Sequence, residues 1–77
     1  MKVTVYGTLH CPWCHKTREF LAAHKVKFTD INIEENEKAK KDIIKKSGQL
    51  GVPVIDIDGK IIIGFDESAI RKALKLK

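Results

Sequence analysis

Apolar and polar residues exchange places along this chain in two rhythms, and the switches between them mark its elements. Val3-Thr4-Val5-Tyr6 alternates in β-favouring residues and predicts a first strand. Gly7 to His10 read as a loop. Thr17, Phe20, Leu21 and His24 then recur at helical spacing, so a helix is expected from Pro12 to about Lys25. Pro12 suits the first turn, where its missing N–H costs nothing. Lys27 to Ile33 predict a second strand anchored by Phe28 and Ile31. Glu34-Glu35-Asn36-Glu37 opens a second helix, its acidic residues suiting the positive end of the dipole and Lys45-Lys46 the other end. Ala39, Ile43 and Ile44 form its inward stripe, and Ser47-Gly48 ends it.

The third strand is expected from Val52-Pro53 to Ile57, with the proline tolerated at its start. Asp58-Gly59 is a two-residue hairpin signal, and Lys60 to Ile63 return as the partner strand. Asp66 is a good N-cap for a last helix with Ile70, Ala73 and Leu74 inward. The order is β-α-β-α-β-β-α. An early βαβ unit predicts parallel pairing through a right-handed crossover, and the late hairpin is antiparallel. The expected fold is α/β, a mixed four-stranded sheet flanked by three helices. No linker, repeat or low-complexity tract divides the chain, so residues 1–77 are expected to form one domain.

Composition narrows the class. With 77 residues the core is thin, since a domain this small buries only roughly 60% of its unfolded surface. No apolar run approaches the roughly 20 residues of a membrane span. The opening residues are too short and too alternating for a signal peptide. A cytoplasmic protein with no membrane association is expected. The net charge of +5 invites a nucleic-acid reading, but the cations lie on helix faces with acidic residues among them. Tyr6, Trp13 and three Phe provide no stacking platform on a basic sheet face. No nucleic-acid partner is expected.

The chemistry lies in Cys11-Pro12-Trp13-Cys14, which holds both cysteines of the chain. Two thiols two residues apart at a helix start can close a disulfide on each other. The first sits where unpaired amides and the dipole favour its thiolate, the form that attacks disulfides. Cys11 is therefore assigned as nucleophile and Cys14, one turn on and more buried, as the resolving thiol. A purely structural disulfide here would staple almost nothing, because its loop is two residues long. Structural zinc would crowd Cys11, Cys14, His10 and His15 into six residues that Pro12 stiffens, and no metal site is expected. His10 and His15 read as proton shuttles or solvated neighbours, and His24 as a surface residue. Trp13 is either an exposed recognition surface or a core residue; its place favours exposure.

The joint pattern resembles the glutaredoxin family over nearly the whole chain, closest to the short glutaredoxin-like proteins that grade into the NrdH-redoxins. The resemblance rests on Tyr6, Cys11-Pro12-Trp13-Cys14-His15, Ser47-Gly48-Gln49, Val52-Pro53-Val54 and Gly64-Phe65-Asp66-Glu67. It implies a thioredoxin-like fold and thiol–disulfide oxidoreductase activity on protein or low-molecular-weight disulfides. No bound cofactor is implied beyond the redox-active Cys11–Cys14 disulfide. It also implies a cis Val52–Pro53 bond beside the dithiol, with the Val52 backbone free to pair with an extended substrate. By resemblance Pro12, Trp13, Gln49, Val52, Pro53, Gly64, Phe65, Asp66 and Glu67 contact substrate. The amides of Asp66 and Glu67 would hold a carboxylate, and Asp66 an amino group. Gln49 is a glutathione contact or a polar loop residue. Thr8 stands where family members carry Lys, and Gly51 where they carry Thr. The electron donor is accordingly glutathione or a thioredoxin-reductase-type flavoprotein. A monomer is expected. The alternative is an iron–sulfur or metal-binding carrier of the same fold.

Overall fold

The structure is a computed structural model that describes residues 2–48 and 51–75. Its elements run β1 (Val3–Gly7), α1 (Pro12–Ala23), β2 (Thr29–Asn32), α2 (Glu37–Ser47), β3 (Val54–Ile57), β4 (Lys60–Ile63) and α3 (Glu67–Leu74). The expected order holds. The strands form one sheet in the order β2-β1-β3-β4. β1 pairs parallel with β2 and antiparallel with β3, and β3 pairs antiparallel with β4. This is the mixed sheet that the βαβ unit and the hairpin imply.

Alternation along the strands divides the interior in two. Val3, Val5, Ile55, Ile57 and Ile62 point to one face, where Leu21 of α1 and Ile70 of α3 complete the cluster. Tyr6 and Val54 point to the other face and meet Ala39 and Ile43 of α2. The pleat sends successive side chains to opposite sides, so β1 serves both cores, Val3 and Val5 one and Tyr6 the other. β1 is buried along its whole length.

Several boundaries shift from the expected ones. α1 stops at Ala23 because Lys25 turns to φ 57°, and the Val26 N–H donates to the Leu21 carbonyl at 2.9 Å. β2 shortens to four residues, with Phe28 and Ile31 half-buried against different clusters. α2 begins at Glu37 rather than Glu34. Glu34 and Glu35 close a turn on Asn32, and Asn36 caps the helix by accepting the Ala39 N–H at 3.0 Å. Ile44 is 44% exposed instead of inward. It lies about 100° around the helix from Ile43, off the stripe that Ala39 and Ile43 occupy at i, i+4. Gly48 ends α2 at φ 75°, as its sequence position predicts.

β3 begins at Val54, two residues later than expected. Pro53 has no N–H to give the ladder, which starts at the Tyr6–Val54 pair. The Pro53 carbonyl instead accepts the Gly64 N–H at 2.8 Å, tying the two loops together. Asp58 and Gly59 both have positive φ, the geometry that a two-residue hairpin turn needs. Asp66 caps α3 by accepting the Ala69 N–H at 3.1 Å.

Candidate active site

The loop after β1 delivers the chain to the start of α1, and Cys11 is the N-cap of that helix. Its Sγ accepts the Cys14 N–H at 3.3 Å, the task a Ser or Asp side chain performs at other caps. The positive end of the helix dipole lies at the same place. Cys11 is half-buried, and its thiol faces the Val52 carbonyl at 3.9 Å. Pro12 opens the helix at N1.

Cys14 differs in its burial. It is fully buried. Burial pushes its thiol up to about 11, and the hydrogen bond with Cys11 and the charge of that sulfur act in the same direction. The Thr8 backbone N–H and the Arg18 charge oppose them. Both thiols are free. β1 meets Cys14 at Gly7, where a Cβ would fall 2.7 Å from Cys14 Sγ. Only a residue without a side chain lets the strand run this close to the sulfur.

Trp13 is 55% exposed, as its place beside Cys11 suggests. It is not isolated. Its ring stacks on Phe65 with centroids 6.3 Å apart, and Phe65 meets Phe20 edge-on at 5.7 Å. Lys16 Nζ lies 4.8 Å from the Trp13 ring centre. Trp13, Val52, Pro53, Gly64 and Phe65 line a cleft of about 230 Å³. A second cleft of about 360 Å³ is lined by Thr8, His10, Ile33, Glu34, Lys40 and Val52. Val52 borders both, and its carbonyl faces Cys11. The Val52–Pro53 peptide is cis.

Asp66 and Glu67 are exposed at the start of α3. The Asp66 carboxylate caps the helix, and Glu67 pairs with Arg71 at 3.1 Å. Gln49 lies outside the described residues. His10 is exposed and borders the second cleft. The His15 ring meets the Leu9 carbonyl at 2.8 Å through Nε2. His24 packs on Phe20 at the far end of α1. Among the described residues, no group of three or more His, Cys, Asp or Glu side chains could hold a metal ion together. No helix there is long and apolar enough to cross a membrane.

Two residues near the dithiol escape a reading of the sequence. Gly7 reads in the sequence as the first residue of a loop, but it ends β1, and only the packing shows what it admits. Arg18 looks like one more surface cation, yet its side chain is 15% exposed and folds inward. Its position four residues after Cys14, on the same helix face, was the available signal.

The glutaredoxin family model matches residues 3–62. An uncharacterised glutaredoxin-like 8.6 kDa protein in the rubredoxin operon of Clostridium pasteurianum is 41% identical over 73 residues, covering 95% of this chain and 97% of that protein. The glutaredoxin-like protein NrdH of Lactococcus lactis subsp. cremoris is 33% identical over 70 residues, covering 91% and 96%. The crystal structure of a glutaredoxin from Archaeoglobus fulgidus superposes with a TM-score of 0.88 at 32% identity, covering 96% of this chain and 86% of that one. By that family match and these likenesses, the chain belongs to the glutaredoxin family and is a redox protein of the thioredoxin fold.

Proposed function

We propose that this protein is a dithiol thiol–disulfide oxidoreductase in which Cys11 attacks and Cys14 resolves. The observation that carries the reading is the asymmetry of the two sulfurs. Cys11 is reachable and capped by an amide hydrogen, whereas Cys14 is enclosed and held as a thiol at neutral pH.

The cycle follows from that difference. The Cys11 thiolate attacks one sulfur of a substrate disulfide. The substrate S–S bond breaks, one substrate thiolate leaves and takes a proton, and a mixed disulfide forms on Cys11. Cys14 then loses its proton and attacks Cys11 Sγ. The second substrate thiolate departs, and the Cys11–Cys14 disulfide remains. Two electrons have passed from the dithiol to the substrate. A donor returns them, either glutathione or a thioredoxin-reductase-type flavoprotein.

Substrate recognition falls to the clefts on either side of Val52. The exposed Trp13 and the Phe65 beneath it offer an apolar platform, with Pro53 and Gly64 shaping its wall. An extended substrate segment can pair with the Val52 backbone. The amides of Asp66 and Glu67 at the start of α3 suit a carboxylate. Disulfide-bearing proteins are the proposed partners, met in the cytoplasm by a monomeric single domain.

Two measurements test the function. The oxidised protein is offered glutathione with glutathione reductase, or a thioredoxin-reductase system, and the recycling rates are compared. Turnover of a protein disulfide with at least one donor is expected. Failure with both donors, in protein whose two thiols titrate normally, would overturn the reading. Colour and iron in anaerobically purified protein would instead favour the iron–sulfur alternative.

A further inference from the structure

Resolution needs a thiolate at Cys14, the sulfur that its surroundings hold most firmly as a thiol. Burial opposes the charge, so something in the fold must offset it at the moment of attack. Arg18 is the group placed to do so. Its guanidinium turns inward from α1, and its Nη2 donates to the Thr8 carbonyl at 3.1 Å. A point 2.7 Å from Cys14 Sγ, above Gly7, lies 3.3 Å from Arg18 Nη2. The sulfur and the cation therefore converge on one spot over the strand.

Arg18 also organises the second favourable group. It pins the carbonyl of Thr8, the residue whose backbone acts to lower the pKa of the Cys14 sulfur. Asp30 of β2 holds the guanidinium from behind, with Nε 3.0 Å from its carboxylate. That contact is one of charge, because the Nε–H finds no aligned hydrogen-bond acceptor. His15 completes the cluster. Its Nδ1 faces Arg18 Nη1 at 3.5 Å, while Nε2 meets the Leu9 carbonyl.

Resting on the dithiol reading above, we propose that Arg18 is a positioning residue for the second chemical step, drawing the Cys14 thiolate into being inside the mixed disulfide. In that intermediate Cys11 carries no thiol and no charge. Its hydrogen bond to Cys14 and its repulsion of the Cys14 anion are both gone. What then faces the Cys14 sulfur is burial on one side and the Arg18 cation with the Thr8 amide on the other. Asp30, 42% exposed, offsets part of the Arg18 charge and moderates the effect. Cys14 loses its proton to solvent, its sulfur attacks Cys11 Sγ, and the bond from Cys11 to the substrate breaks. The substrate leaves as a thiolate.

The ion pair supplies its own control. Removing Arg18 and removing the Asp30 charge break the same contact, but they change the charge near Cys14 in opposite senses. The test reacts reduced protein with excess dithiodipyridine in a stopped-flow instrument. One thiopyridone is released when Cys11 attacks and a second when Cys14 resolves, so the two steps separate. Arg18→Met should raise the pH midpoint of the second release by about one unit and slow it about tenfold below that midpoint. Arg18→Lys should recover most of the loss. Asp30→Asn should lower the midpoint and speed the second release. Midpoints that move the same way in Arg18→Met and Asp30→Asn would show a structural role only and overturn the proposal. Midpoints that do not move would overturn it as well. Unsubstituted protein that releases a single equivalent would instead overturn the dithiol reading, and this proposal with it.

Discussion

The two ends of the sheet carry cavities of similar size but opposite character. At the hairpin end, Lys2, Thr4, Tyr6, Lys46, Asp56, Asp58 and Gly59 line a cleft of about 290 Å³. Three of its charged groups, Lys46, Asp56 and Asp58, are spent on the fold. Lys46 pairs with Asp56 at 3.2 Å and lies over the Tyr6 ring, and Asp56 and Asp58 accept backbone N–H groups at 2.7 Å. At the dithiol end, the cleft of Trp13, Val52, Pro53, Gly64 and Phe65 is bordered by aromatic and aliphatic surface, and the sulfur beside it is half-open. A polar cavity whose partners already satisfy one another is scaffold. An apolar cleft against an accessible sulfur, with a second sulfur enclosed behind it, can bind and react.

The contrast breaks most visibly at Cys11. Cys11→Ser should lower the rate of protein-disulfide reduction at least a hundredfold, while substitutions in the hairpin cleft leave that rate unchanged. Gly7→Ala comes next. The added methyl meets Cys14 Sγ in a closed space, so it should cost about 1–3 kcal/mol in urea unfolding and slow the resolving step. Trp13→Ala should raise the KM for protein disulfides about tenfold, an interface loss of over 1 kcal/mol, and affect small disulfides little.

Cys14 gives a pH signature that the hairpin end lacks. Folding raises its pKa from 9.0 to about 11, so the folded state favours the neutral thiol. That stabilisation is complete below about pH 9 and is lost as pH climbs through 11. The urea midpoint of the unsubstituted protein should therefore fall more steeply between pH 8.5 and 11 than that of Cys14→Ala. Equal slopes would contradict the burial argument. The smallest effect belongs to Lys46→Met, which removes a surface ion pair whose lysine side chain is 41% exposed and should change stability by about 1 kcal/mol or less.

The sequence was most legible where one residue makes one local bond. Asn36, Gly48, Asp66 and the Asp58-Gly59 turn behave as their chemistry dictates, because caps and tight turns depend on neighbours a few residues away. The cysteine pair was legible for the same reason: two sulfurs on one helical turn must face alike. Ile44 was misread because α2 has only one partner surface, and a sequence stripe does not say how wide that surface is. The start of β3 was misread because pairing depends on Tyr6, far away along the chain. Arg18 and Gly7 were missed at the site for a related cause. Their importance lies in a convergence of α1, β1 and β2 on Cys14, and no spacing rule encodes a meeting of three elements.

The central claim is that the two sulfurs have fixed and different roles. It is tested most directly by mixing Cys14→Ser and Cys11→Ser separately with one protein disulfide and locating any adduct by peptide mass spectrometry. A stable mixed disulfide on Cys11 in the first variant, and no adduct in the second, is the predicted result. An adduct on Cys14, formed as fast in Cys11→Ser as the Cys11 adduct forms in Cys14→Ser, would contradict it.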